Sequence, residues 1–142
     1  MSTLSLSTDR GRLDVDFVHA ALGRTYWAKD IGRARVLRSL DASLCFGMYE
    51  ADRQLAFARV VTDFATFAYL CDVVVHEDAR GRGLGKQLVA SIVAHPELRD
   101  VRRFVLWTRD AHGLYEKFGF VRLGEQPGLM GILQPFGYRD EE

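Results

Sequence analysis

A mixed α/β sheet flanked by helices is the fold class this sequence predicts, on three observations. Residues 16–40 carry two stretches with helical spacing of apolar residues. Residues 43–76 then change period and read as β-rich runs. A strand–helix–strand pattern follows, Asp72 to Trp107. Counted along the chain, the pattern predicts about seven strands and about four helices in one domain, residues 1–142.

The elements follow in order. Thr3 to Ser7 alternates apolar and polar residues, a short first strand. Asp16 to Arg24 gathers Phe17, Val18, Ala21 and Leu22 on one helical face, with Gly23 near its end. Ile31 to Leu40 reads as a second helix with Ile31, Ala34 and Leu37 inward. The connection between them, Arg24-Thr-Tyr26-Trp27-Ala-Lys29, is unusually aromatic. Ser43 to Tyr49 and Gln54 to Thr62 form a hairpin about Glu50 to Arg53, and Ala65 to His76 is a longer strand. Gly83 to Ala94 is an amphipathic helix facing inward through Leu84, Leu88, Val89 and Ile92. Arg103 to Trp107 is a strand, and Gly113 to Phe118 a short helix stopped by Gly119. Phe120 to Leu123 and Leu129 to Leu133 read as two closing strands around Pro127-Gly128.

Composition narrows the function. At 142 residues, the chain is long enough to bury roughly two thirds of its unfolded surface without a disulfide or metal staple. Lys plus Arg equals Asp plus Glu at 19 each, so no global field draws in nucleic acid or an acidic membrane. Any anion must be held by a local cluster. No apolar run approaches the roughly 18 residues of a membrane span, and no secretory leader pattern opens the chain, which makes a cytoplasmic protein the expectation. Cys45 and Cys71 fall in apolar runs and read as reduced, buried thiols. The four histidines show no metal-binding spacing, so no metal site is expected.

The most informative stretch is Val73-Val74-Val75-His-Glu-Asp-Ala-Arg80-Gly81-Arg82-Gly83-Leu84-Gly85-Lys86. A strand ends, glycines alternate with Arg and Leu, and a helix begins. Glycines admit positive φ and let amide N–H groups converge. With the open donors of a helix's first turn they form an anion-binding concavity, to which Arg80, Arg82 and Lys86 add charge. A polyphosphate is the natural occupant; a tight turn with solvated cations is the plainer alternative. The P-loop pattern fails because Gln87, not Ser or Thr, follows Lys86. The dinucleotide fingerprint fails because the third glycine comes one residue early.

Arg80-x-x-Gly83-x-Gly85 after an apolar strand resembles the (Arg/Gln)-x-x-Gly-x-(Gly/Ala) motif of the GNAT superfamily of acyl-CoA-dependent N-acyltransferases. Ala111-His-Gly-Leu114-Tyr115-Glu-Lys-Phe118-Gly119-Phe120 resembles that family's A-x-x-L-Y-x-x-x-G-F segment, at the usual separation. The likeness covers about residues 70–123. It implies a mixed, mostly antiparallel sheet whose central parallel strands splay apart to admit acetyl-CoA. Val73, Val74 and Val75 would then meet the pantetheine arm. The main chain from Arg80 through Gly81, Arg82, Gly83, Leu84 and Gly85 to Lys86 would hold the diphosphate, with Arg80 and Arg82 steering the anion or touching the 3′-phosphate. Thr108 stands where many members carry asparagine.

The resemblance further implies direct attack of a neutral amine on the thioester in a ternary complex. That chemistry needs a deprotonated amine, a stabilised oxyanion and a proton for the leaving thiolate. A backbone N–H near Val73 would serve the oxyanion. Tyr115 is the expected proton donor; an ordinary phenol near pKa 10 and a thiol near 8.5 make the transfer uphill by roughly 2 kcal/mol. Asp72, a charged residue in an apolar run, reads either as the base for the amine or as a partner of Arg59. By simple alternation Tyr69 points to the opposite strand face from Asp72. His112 is a further titratable candidate.

Tyr26, Trp27, Phe64, Phe67, Tyr69 and Phe136, with Asp63 and Asp72, would suit a cationic small-molecule or peptide amine, or else the aromatics simply fill the core. Relatives commonly form homodimers through exposed strand edges. A noncatalytic acyl-CoA-binding module is the alternative class, against which Tyr115 speaks, and a nucleotide-phosphate binder outside the family is a weaker third.

Overall fold

The computed structural model describes residues 3–124, 128–133 and 138. The chain runs β1 (Leu4–Ser7), α1 (Val15–Gly23), α2 (Arg33–Asp41), β2 (Leu44–Glu50), β3 (Arg53–Thr62), β4 (Phe67–Val75), α3 (Leu84–Val93), β5 (Arg103–Leu106) and α4 (His112–Glu116). The five strands form one sheet in the order β1-β2-β3-β4-β5. Every pairing is antiparallel except β4 with β5, which run parallel and are joined through α3.

Local chemistry explains the element ends. The Asp14 carboxylate accepts from the Phe17 N–H, capping α1. The β2–β3 hairpin turns through Ala51 and Asp52, with Ala51 left-handed at φ 54°. Asp63 accepts from the N–H groups of Ala65, Thr66 and Phe67 and from the Thr66 hydroxyl, so it builds the β3–β4 turn.

The sheet buries both faces. On one side α3 lays Leu84, Leu88 and Ile92 against Phe46, Ala56, Ala58, Ala68 and Leu70. On the other, α1 and α2 cover Cys45 and Phe57 with Val18, Leu22, Val36 and Leu40. Fully burying one such aliphatic side chain stabilises by about 1.5–3 kcal/mol. The inward face of α2 is Val36 and Leu40, whereas Ala34 is exposed. Val36 and Leu40, four residues apart, share one face of the helix, which starts at Arg33, two residues later than periodicity alone predicts.

The strand count differs from expectation. Among the described residues, 120–123 and 128–133 form no strand, so the sheet has five strands rather than about seven. Val121, Leu129, Met130, Ile132 and Leu133 are exposed. Apolar alternation holds a strand where one of its faces is buried, and these exposed residues bury none. Pro127 and Phe136 lie outside the described residues.

Candidate active site

The site begins at an irregularity in β4. Arg59 is opposite Cys71 and Phe57 opposite Val74, so Ala58 alone faces both Asp72 and Val73. This is a β-bulge, and Asp72 sits in it at φ 59°, a left-handed conformation costing a non-glycine residue about 1–3 kcal/mol. The extra residue also resets the alternation. Leu70, Val73 and Val75 pack toward α3, while Val74 packs toward α1 and α2. The Asp72 carboxylate turns to that second side, where Tyr69 and Cys71 also stand. It accepts from Arg59 Nε at 2.8 Å and from Trp27 Nε1 at 2.8 Å. Thus Tyr69 and Asp72 share a face, contrary to simple alternation, because a bulge adds one residue to the count. Burial, first, and neighbouring Cys71 and Asp72 push the Tyr69 phenol upward.

Arg59 also donates to Ser43 Oγ at 3.1 Å. Both oxygens of Asp72 are therefore engaged, by a guanidinium and an indole N–H, in an ion pair largely shielded from solvent. Cys45, Arg59 and Cys71 are successive ladder partners, which sets the two cysteines about 10 Å apart, beyond disulfide reach. Both are free. Burial raises Cys45 to about 11 and Cys71 to about 12, so neither is a nucleophile near neutrality.

Just before the bulge, β4 and β5 part. Their ladder runs from Phe67–Arg103 to Leu70–Leu106 and stops, while β4 continues to Val75. The divergence opens a cleft of about 660 Å³. Val73, Val74 and Val75 form one wall, Arg109 and Asp110 the other, and Thr25, Tyr26 and Trp27 close it on the α1 side. A second hollow of about 450 Å³, sharing Tyr26 and Arg109, extends past Trp107 and Thr108. The stretch of β4 in the cleft has no β5 partner, leaving a peptide edge for an extended ligand.

The far end of this wall is the glycine-rich turn. Gly81 and Gly83 adopt φ 83° and 73°, and no atom lies within 4 Å of a built Cβ at either, so conformation rather than space requires glycine. Gly85 already belongs to α3, where a Cβ would only touch Val75 at 3.8 Å. Gly83 caps α3 without any side-chain hydrogen bond, and the helix's first turn holds no acidic residue. Its first-turn amides carry no side-chain cap, and the helix dipole favours an anion there. Arg80 is exposed and lines the cleft. Arg82 instead pairs with Glu50 at 2.9 Å, so its charge is partly spent on β2. Lys86 is exposed.

Tyr115, on α4 beyond the Arg109–Asp110 wall, is half-buried, packed against the α3-side core and edge-on to Phe120 at 6.0 Å. Burial above all, then the nearby Tyr26 and Asp110, push its phenol above the ordinary value. It is protonated at neutral pH, as a donor must be. Thr108 Oγ1 accepts from the Ala111 N–H and shapes the approach to α4. His112 is the first residue of α4 and half-buried.

The remaining expectations separate. Tyr26 and Trp27 line the cleft with Val73. Asp63 is exposed and engaged in its turn, with its carboxyl held well below the usual range by the Thr66 hydroxyl and N–H. Phe67 and Phe64 are exposed at the β3–β4 end of the sheet. Arg109 was not singled out by sequence reasoning; a lone arginine after a strand carries no local signal. It stacks on Tyr26 with Cζ 3.8 Å from the ring centroid and donates its backbone N–H to the Tyr26 hydroxyl at 3.1 Å.

A glycine turn with open amides at one end and an unpaired peptide edge along one wall suit a long ligand with a phosphorylated head. Comparison with known proteins agrees. Residues 41–122 match the family profile described as the acetyltransferase (GNAT) domain. The crystal structure of a candidate GNAT-family acetyltransferase from Xanthomonas campestris pv. campestris shares 48% identity and a TM-score of 0.90, covering 95% of this chain and 96% of that one. A candidate acetyltransferase of Gibberella zeae is 30% identical across 89% of this chain and 84% of its own. An acetyltransferase structure from Clostridium acetobutylicum with acetyl-CoA has a TM-score of 0.67 at 15% identity, covering 94% of this chain and 96% of that one, a likeness of fold. The chain belongs to the GNAT family of acetyltransferases and is an acyltransferase.

Proposed function

We propose that this protein is an N-acetyltransferase that moves an acetyl group from acetyl-CoA to a primary amine of a small molecule or peptide, by direct attack in a ternary complex. The observation that carries the reading is the β4 bulge beside an opened β4–β5 pair, ending at the left-handed Gly81–Gly83 turn and the α3 N-terminus. The residues present fit acetyl-CoA. The diphosphate belongs at the amides following Gly81 and Gly83, beside Arg80, which lines the cleft. The pantetheine amides belong along Val73–Val75, whose β5-side edge lacks a strand.

Acetyl-CoA, when bound, supplies an activated acyl carbon. The protein positions and protonates. An N–H of the backbone around Val73, in the bulged part of β4, is the donor for the charge that develops on the carbonyl oxygen. Tyr115 holds the proton that leaves with the thiol. Asp72 is better suited to positioning than to taking a proton, because Arg59 and Trp27 occupy both of its oxygens. The amine approaches from the Trp27 and Tyr69 side, where aromatic faces favour its cationic form. It gives one proton to solvent before attack, and the second, lost as the C–N bond forms and the C–S bond breaks, restores Tyr115 through solvent.

The test is a thermal-shift comparison followed by an acceptor screen. Coenzyme A should raise the melting temperature, while ATP and NAD at equal concentration should not. Equal shifts with all three discard the cofactor assignment. Release of free thiol over amines, polyamines, amino acids, aminoglycosides and basic peptides then identifies the acceptor. Buried Cys45 and half-buried Cys71, raised to about 11 and about 12, stay protonated at neutral pH and contribute little to such a thiol assay.

A further inference from the structure

Two consecutive residues of the α1–α2 connection reach the two opposite walls of the cleft. The Tyr26 hydroxyl accepts from the Arg109 N–H at 3.1 Å, and its ring lies under the Arg109 guanidinium at 3.8 Å. The Trp27 indole N–H donates to Asp72 Oδ1 at 2.8 Å. Arg109 follows β5, whereas Asp72 is the bulged residue of β4. The two aromatic rings contact each other edge-on, with centroids 5.0 Å apart. Nothing in the sheet ladder ties the walls together here, since it ends at Leu70–Leu106.

The connection is itself stiffly held. Thr25 Oγ1 donates to Leu22 O at 2.7 Å and accepts from the Ala28 N–H at 3.1 Å, closing the turn on both sides of Tyr26 and Trp27. Ala28 is buried, and the Ile31 carbonyl is within 3.0 Å of His19 Nε2. A short segment anchored on the helical layer and bonded to each diverging strand behaves as a strap.

We infer that Tyr26 and Trp27 are positioning residues that set the spacing of the two walls. Through Arg109 the strap fixes the loop that leads into α4 and Tyr115; through Asp72 it fixes the bulge that aims the Val73 backbone. The two parts of the site, borne on different strands, are thereby held in register by one dipeptide. That this spacing serves acetyl-CoA rests on the proposed function; the mechanical coupling does not. The strap also lies on the acceptor side, so an amine stacking on Trp27 would tighten both walls at once.

The strap has its two bonds in series, which gives a distinctive expectation. Breaking either end should loosen both walls, and breaking both should add little. Hydrogen–deuterium exchange on wild type, Tyr26→Phe, Trp27→Phe and the double variant measures this directly. Each single substitution keeps an aromatic ring and deletes one hydrogen bond. Trp27→Phe, which alters the bond to Asp72, should speed exchange of the Arg109 amide at least threefold. Tyr26→Phe, which alters the bond at Arg109, should speed exchange at Val73 and Val74. The affinity for coenzyme A should fall about fivefold in each single variant and no further than about tenfold in the double. Unchanged Arg109 exchange in Trp27→Phe, or affinity losses that multiply to about 25-fold, would overturn the strap. Failure of wild type to bind coenzyme A removes the functional reading instead, and the exchange experiment still decides the coupling.

Discussion

Arg59 Nε stands 2.8 Å from Asp72 Oδ2, joining β3 to the one residue of β4 that its ladder cannot accommodate. The pair offsets two costs together: the left-handed backbone of Asp72 and the removal of a carboxylate from water. Taking one partner away leaves the other charged and poorly hydrated, which typically costs about 3–5 kcal/mol. Asp72→Ala should therefore destabilise the protein by about 3 kcal/mol in urea unfolding. Asp72→Asn, which retains an acceptor for Trp27 or Arg59, should cost less. A loss under about 1 kcal/mol for Asp72→Ala would show that the bulge does not depend on the pair.

The glycine turn makes a different prediction. No atom stands near a Cβ built on Gly83, so Gly83→Ala meets no clash, only the left-handed conformation at φ 73°. That costs about 1–2 kcal/mol in stability. Calorimetric titration should also show coenzyme A bound at least tenfold more weakly, because the turn's amides would rotate off the anion. Gly85→Ala, in regular helix with only an ordinary 3.8 Å contact, should leave the fold intact.

Tyr115→Phe tests the proton donor. It should lower kcat by about 10- to 1,000-fold, in the range of general acid catalysis, with little change in acetyl-CoA affinity. Since burial raises the Tyr115 phenol above its ordinary pKa of 10, loss of the donor should depress kcat only above pH 10. An unchanged kcat in Tyr115→Phe removes this residue from the mechanism.

Away from the site, Tyr49 is almost fully buried, and its hydroxyl has no hydrogen-bond partner among the described residues. A buried unpaired hydroxyl is a net cost of about 1–3 kcal/mol. Tyr49→Phe should consequently be neutral or stabilising, with the Arg12 guanidinium still 4.0 Å from the ring centroid. Gly47→Ala should do the reverse, because a Cβ there would collide with the Tyr49 ring and hydroxyl. Overpacking of this kind costs about 1–3 kcal/mol. Thermal melts should fall for Gly47→Ala and hold or rise for Tyr49→Phe; a rise for Gly47→Ala would overturn this packing.

Alkaline stability should follow the two thiols. Cys45 rises from 9.0 to about 11 and Cys71 from 9.0 to about 12 on folding. Between those limits the unfolded chain has released protons that the folded chain still holds. The stability is thus intact below pH 9 and falls as pH climbs toward 11 and 12. Replacing both cysteines with alanine should flatten that decline in urea melts taken from pH 8 to pH 11. An equally steep decline without them would assign it to other groups.

Much of this fold was legible before any coordinates. The turn from Arg80 to Lys86 and the segment from Ala111 to Phe120 are local signals, set by glycine's freedom and by helix spacing over a few residues. The helices α1, α3 and α4 and strands β2 to β5 likewise followed from short-range periodicity. The two closing strands did not form among the described residues: residues 121–123 and 128–133 have β-like patterning but are exposed throughout and bury no face. Simple alternation also misdirected Asp72, since a bulge is a property of a strand pair and not of one strand.

The sequence by itself determined which residues are chemically able to hold an anion, give a proton or turn the backbone left-handed, because those capacities belong to single side chains and short segments. Only the tertiary structure decided how they combine. It decided between the two readings of Asp72 by pairing it with Arg59, set Tyr26 against Arg109 across 83 residues of chain, and ended the β4–β5 ladder at Leu70. Those are long-range pairings, chosen by the packing of two helical layers on a sheet, and no local pattern encodes them.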